Sequence, residues 1–163
     1  NTPSYMRTVR NKVPRIYTPD DVEKLKIGKG SLIREGSDTA IIACGIMVGI
    51  ANEASKNLQA DGIFASVVDM HTIKPLDNEL LRELAEICGC FVTAEDHSII
   101  GGLGSAVSEW ASEEFPLPIE KIGVKDRFGE SGESNELLEQ MDMMEDNIVQ
   151  AVKKVLRRKK MQS

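Results

Sequence analysis

The run Ala94-Glu95-Asp96-His97-Ser98-Ile99-Ile100-Gly101-Gly102-Leu103-Gly104-Ser105-Ala106 sets an acid pair beside one of the chain's two histidines and follows it with three glycines. Two chemistries use residues of these types. A carboxylate beside an imidazole can serve as a general base with its orienting acid. Glycines at the start of a helix leave backbone N–H groups free to hold an anion. Both readings meet obstacles. Asp96 and His97 are neighbours, so their side chains diverge unless the chain bends them together. Neither Ser98 nor Ser105 sits in a G-x-S-x-G elbow, and no cysteine is placed beside the histidine as a nucleophile. Gly101-Gly102-Leu103-Gly104 lacks the G-x-G-x-x-G spacing of a dinucleotide fingerprint and is separated by six residues from the expected end of its strand. The glycines are therefore expected to turn the chain tightly and let a helix pack close to its neighbour. The stretch is expected at an edge or interface, in a strand-end loop.

A second candidate loop, Asp69-Met70-His71-Thr72-Ile73-Lys74-Pro75-Leu76-Asp77, follows the preceding strand. Lys74 is extended because Pro75 follows it, and Asp77 can cap a helix. Asp69, His97, Gly101 and Gly102 can then share one rim, the basis for an alternative reading as an independent ligand-binding domain. With His71 as the second histidine, a histidine-rich metal site is not expected. Cys44, Cys88 and Cys90 lie in apolar runs, without a redox or zinc spacing, and read as small buried hydrophobes. An odd cysteine count gives no disulfide framework and points to a reducing, cytoplasmic setting.

The elements that position these loops follow from periodicity. Residues 1–30 carry Pro3, Pro14, Pro19, Gly28 and Gly30 and read as linker. Ser31–Glu35 and Thr39–Cys44 read as two strands of an antiparallel hairpin turning at Gly36-Ser37-Asp38. Ile46, Met47, Ile50, Ala51, Ala54 and Leu58 mark a helix, Ile63–Val68 a buried strand, and Leu80, Leu81, Leu84 and Ile87 a helix starting at Asp77. Cys90–Ala94 is the next strand; Leu103, Val107, Trp110 and Ala111 mark a helix; Ile119–Val124 is the last strand. After the charged loop Lys125–Glu133, Ser134 is expected to cap a short helix. Ile148, Ala151, Val152 and Val155 form the buried stripe of the final one. The basic run Arg157-Arg158-Lys159-Lys160 suits the negative end of that helix. Alternating strands and helices predict a three-layer α/β/α sandwich around a mostly parallel sheet of about five strands, one antiparallel.

At 163 residues the chain can bury one substantial core. Its net charge of −6 argues against a general affinity for nucleic acid. No run approaches a membrane span and no signal-peptide core is present at the N-terminus. A start at Asn1 suggests a piece of a longer protein.

Three motifs in order, DMHTIKPLD, AEDHSIIGGLGSAV and DRFGESG, closely resemble the C-terminal domain of transketolases, over about Pro3 to Leu156. Looser versions occur in 1-deoxyxylulose-5-phosphate synthase and in the beta chains of 2-oxo acid dehydrogenases. The resemblance implies a domain of an enzyme that uses thiamine diphosphate and a divalent metal, usually Mg²⁺, to move a two-carbon ketol unit between sugar phosphates. This chain lacks the G-D-G signature with its asparagine pair, and lacks the pyrimidine domain's glutamate. No catalytic, cofactor-binding or metal-binding residue is expected in it, and alone it should be inactive. The resemblance divides the chain into residues 1–30, the end of a pyrimidine-binding domain and a linker, and residues 31–160, the C-terminal domain. Arg10, with Arg7 second, matches the arginine that binds the sugar's phosphate in the full enzyme. Asp69, Asp96, His97, Gly101 and Gly102 are expected at contacts with the remaining domains or the homodimer partner. A pure assembly module of a related thiamine enzyme is the other alternative.

Overall fold

A computed structural model describes residues 3–9 and 13–161. Among them, five strands form one sheet: β1 (Ser31–Arg34), β2 (Thr39–Ala43), β3 (Ala65–Asp69), β4 (Phe91–Ser98) and β5 (Ile119–Val124). The helices are α1 (Pro19–Val22), α2 (Met47–Ala60), α3 (Asn78–Cys88), α4 (Leu103–Glu114), α5 (Ser134–Gln140) and α6 (Glu145–Lys160). The sheet order is β1-β3-β2-β4-β5, with β1 antiparallel to β3 and every other neighbouring pair parallel.

The layering follows from handedness. β3 lies on one side of β2, and β4 on the other. Right-handed crossovers in opposite directions must cover opposite faces of the sheet. Accordingly, Ile41, Ala43, Val67 and Val92 bury against α2 and α6 on one face, while Ala40, Ile42, Val68 and Phe91 bury against α3 and α4 on the other. The period-2 alternation of side chains along β2 feeds both cores at once. Phe91 and Trp110 stack at 6.4 Å between centroids, fixing α4 over β4.

The expected hairpin does not form. β1 and β2 are consecutive in sequence, but β3 lies between them in the sheet. Their connection passes over the start of β3: the Gly36 N–H donates to Ser66 Oγ, Ser66 Oγ donates to the Gly36 carbonyl, and the Ser37 and Asp38 N–H groups donate to the Phe64 carbonyl. A Cβ on Gly36 would stand 2.4 Å from the Ala65 carbonyl carbon, so only glycine allows this crossing. The antiparallel strand is thus β1, paired with β3.

The helix stripes agree with expectation in outline and differ at their margins. In α2 the buried face is Met47, Val48, Ala51, Ala54, Ser55 and Leu58, leaving Ile50 half-buried. In α3 it is Leu81, Leu84, Ala85 and Cys88, and Ile87 is exposed. Asp77 does cap α3, accepting from the Leu80 N–H, and Gly89 closes it with a left-handed φ of 60°. Ser134 is the first residue of α5, whose cap position belongs to Glu133. The segment before β1 is tied down at several points: Lys29 Nζ and the Gly30 N–H reach Asp77, and Ile16 packs on the α2–α6 core.

Candidate functional site

The acid–histidine run is strand, not loop. β4 continues through Ser98, with an irregularity against β5 between Ala94 and Ser98. Gly123 makes this possible, because a Cβ there would stand 2.8 Å from the His97 carbonyl oxygen and 3.0 Å from that of Glu95. In extended chain, successive side chains leave on opposite sides. His97 is exposed, and its Nδ1 lies 3.2 Å from the Ser98 carbonyl oxygen. Among the described residues no hydrogen bond or ion pair joins it to Asp96 or to any other carboxylate, so the acid–base pairing that the types suggested is not assembled here.

The glycines do cradle an anion, and that anion is Glu95. Its side chain is buried, with 1% exposed. Oε2 accepts from the Leu103 N–H at 2.8 Å and Oε1 from the Gly104 N–H at 2.7 Å. These are the first two N–H groups of α4, which have no partner inside the helix. The cap residue, Gly102, has no side chain to satisfy them, and the first turn carries no acid of its own. The carboxylate of a neighbouring strand therefore takes the place of a side-chain cap and opposes the positive end of the helix dipole. The glycines are the steric condition for this. A Cβ on Gly102 would lie 1.9 Å from Glu95 Oε2, and one on Gly104 would lie 2.8 Å from Thr93 Oγ1 and 3.1 Å from Glu95 Oε1. Gly101, exposed and at φ 76°, makes the turn before them.

Asp69 is the last residue of β3 and is 8% exposed. Oδ2 accepts from the Tyr17 hydroxyl at 2.6 Å, while Oδ1 is buried without a partner among the described residues. Burial pushes the Asp69 carboxyl above the ordinary aspartate range, only partly countered by the Tyr17 bond and by His71. Burial and the bond to Asp69 likewise push the Tyr17 phenol up. Asp69 and Asp96 do not adjoin through the sheet, since β2 separates β3 from β4. That gap, at the strand C-termini where the winding direction changes, is where open α/β sheets receive ligands. Here Arg7, from the segment before the domain, reaches it, and its guanidinium donates to the Asp96 carbonyl oxygen. Cys44 lies beside the same place. Burial, and secondarily the charge of Glu95, push its thiol up to about 12. Arg10 lies outside the described residues.

The other sequence candidates are structural. Burial pushes the Cys88 thiol up to about 11, and all three cysteines are free. Among the described residues no group of three or more His, Cys, Asp or Glu side chains is placed to hold a metal ion. Two surface depressions, of about 540 and 360 Å³, are lined by residues of α4, β5 and α6 and of the segment beside β1, and neither includes the rim. Sequence reasoning missed Glu95 as the cap of α4 and Tyr17 as the partner of Asp69. The first left a signal: a helix start with no Ser, Thr, Asp or Asn at its cap, preceded by an acid in an apolar strand.

The family described as transketolase, C-terminal domain, matches residues 28–148. A 6-deoxy-6-sulfo-D-fructose transketolase subunit of Clostridium sp. is 43% identical over 157 residues, 96% of this chain and 48% of that protein. A putative transketolase C-terminal section of Methanocaldococcus jannaschii is 39% identical, covering 92% of this chain and 47% of that protein. A solved structure described as a split gene transketolase, inactive beta4 tetramer, superposes with a TM-score of 0.86 at 49% identity, over 91% of this chain and 48% of its own. The chain thus spans about half the length of these relatives. Its fold, its motifs and these matches agree: the chain belongs to the transketolase C-terminal domain family.

Proposed function

We propose that this chain serves a transketolase-type enzyme as a contact domain, moving a two-carbon ketol unit between sugar phosphates only together with other domains or subunits. The observation that carries this is the filled cradle. The glycine-rich helix start, which among the described residues has the form of an anion site, is occupied by Glu95. The described residues of this chain therefore do not fit thiamine diphosphate. That cofactor and its Mg²⁺ would be held by the parts of the enzyme that carry the G-D-G signature and its asparagines.

The rim then has a role in docking. Residues 3–9 form neither helix nor strand, with Tyr5 90% and Met6 83% exposed, and make no backbone hydrogen bond among the described residues. Such a segment can add as a strand to a neighbouring sheet. The Arg7 bond to Asp96 would then tie that strand to the rim. Asp69, Asp96, His97, Gly101 and Gly102 are assigned to interdomain or subunit contacts, and Asp69 Oδ1 is an acceptor awaiting a donor. Arg10, three residues on from Arg7, is assigned to the substrate phosphate in the assembled enzyme, where a guanidinium grips phosphate in a bidentate way. Assembly would be oligomeric, with a dimer as the working unit, and the three unpaired thiols favour the cytoplasm. Residues 1–30 and 31–160 are proposed as the two functional segments.

The test is reconstitution. The chain alone, with thiamine diphosphate, Mg²⁺ and a ketose phosphate donor, should show no ketol transfer. Addition of a chain from the same genome carrying the G-D-G and asparagine-pair signature should restore it. Turnover by this chain alone, or no activity with any such partner, overturns the proposal.

A further inference from the structure

We infer that the start of α4 is a carboxylate-binding site whose ligand is carried by the chain itself, and that a small carboxylate from solution can replace Glu95 there. A filled helix cap is common. Three observations make this one a site. The occupant comes from another element: Glu95 stands on β4, eight residues before the first amide it holds, and is not part of the turn. Each oxygen takes one N–H, at 2.8 Å to Leu103 and 2.7 Å to Gly104, so the cradle matches a planar two-oxygen anion. The wall also contains an unused polar group. Thr93 Oγ1 is fully buried without a hydrogen-bond partner among the described residues and lies against Gly104, as Glu95 Oε1 does. Thr93 and Glu95, two residues apart on β4, leave the strand on the same side, and both lie against the Cβ position of Gly104.

The dimensions choose the ligand class. Oε2 lies 1.9 Å from where a Cβ on Gly102 would stand, which leaves no room beyond the carboxylate on that side. Formate has one carbon and two oxygens and fits the space of the deleted carboxyl group. Acetate adds a methyl that presses on the remaining side chain, and phosphate is tetrahedral where the two N–H groups match a planar anion. Glu95 is thus a positioning residue. It holds the first turn of α4, and through Gly101 and Gly102 the course of the rim.

Chemical rescue tests this. The thermal midpoint of Glu95→Ala should fall by roughly 5–10 °C, because two helix-start N–H groups lose a charged acceptor. At about 0.5–1 M formate it should recover by roughly 3 °C more than in chloride of equal ionic strength, as expected for weak binding to the folded state alone. Acetate should rescue less, phosphate no more than its general salt effect, and the native chain should show no formate preference. Thr93→Val in the Glu95→Ala background should weaken the rescue. Formate and chloride acting alike on Glu95→Ala overturn the inference; so does a larger rescue by phosphate. Should Glu95→Ala fail to fold, Glu95→Gln keeps the volume but sets an amide NH₂ against one of the two N–H groups. Hydrogen exchange should then accelerate at Leu103 or Gly104 while the α2 amides stay protected. Unchanged protection at both refutes the site.

Discussion

Replacing Gly102 with alanine should be costly for a reason unrelated to backbone freedom. Its φ of −105° is negative and its backbone extended, so left-handed freedom is not what glycine supplies there. The cost lies in the new methyl, placed 1.9 Å from Glu95 Oε2, 2.9 Å from its Cδ and 3.0 Å from the Ser98 carbonyl oxygen. The carboxylate must retreat by more than an ångström, and the 2.8 Å bond to the Leu103 N–H cannot survive this. Losing one hydrogen bond to a charged group costs about 1.5–3 kcal/mol. Overpacking a buried site adds about 1–3 kcal/mol. The expected loss is about 3–5 kcal/mol, a fall in thermal midpoint of roughly 10 °C for a chain of this size. Gly101→Ala is the control: nothing lies within 4 Å of its Cβ position, so only the positive φ of 76° is strained, at about 1 kcal/mol. Urea or thermal unfolding of Gly102→Ala, Glu95→Ala and the double variant completes a thermodynamic cycle. With the carboxylate gone the methyl enters vacated space, so the double variant should be less damaged than the two single losses together by about 1–3 kcal/mol. Additivity within about 0.5 kcal/mol, or a Gly102→Ala no worse than Gly101→Ala, would refute the reasoning.

Two further predictions concern groups perturbed by burial. Asp69 has its pKa raised above the ordinary 3.8, so the folded chain holds its proton at a pH where the unfolded chain has released it. Native stability therefore falls as pH rises from the ordinary value through the raised one. Asp69→Asn keeps an acceptor for Tyr17, so it should be the more stable protein at pH 7, with the difference vanishing below pH 3.8, measured by urea unfolding across pH. A difference that grows on acidification contradicts the assignment. With the Cys44 and Cys88 thiols pushed up to about 12 and about 11, alkylation by iodoacetamide at pH 8 should be slower in the native chain than in urea by at least about a hundredfold. Rapid native labelling of either would show an exposed thiolate.

What the sequence made legible depended on how local the governing physics was. The α3 cap at Asp77, the buried runs of β3 and β4, and the α4 stripe of Leu103, Val107, Trp110 and Ala111 rest on periodicity and capping, which neighbouring residues settle among themselves. The pairing of β1 was not local. Gly36-Ser37-Asp38 looks like a hairpin turn, yet whether the next strand lies beside β1 or one place beyond is decided by Gly36 passing over Ala65 and Ser66. The polar letters of Glu95, Asp96 and His97 concealed the extension of β4, because a buried acid reads as loop until its partners are known. Those partners are main-chain N–H groups, which every sequence has and none displays. The family resemblance rested on the order of three motifs. It placed the chain correctly without revealing why the double glycine is there. The structure supplies the reason: Gly102 and Gly104 leave space for Glu95.

The central claim is that AEDHSIIGGLGSA makes contact and shape, not chemistry. The most direct measurement is the kcat of His97→Gln in the reconstituted enzyme, with this chain varied to saturation. His97 is exposed and unpaired with any acid among the described residues. The account predicts that more of the variant is needed for half-maximal activity, while the kcat at saturation stays within about threefold of the native value. A general acid or base contributes about 10²–10⁴-fold. A loss of that size in kcat at saturation, with unchanged assembly, would contradict the account and return the histidine to the active site.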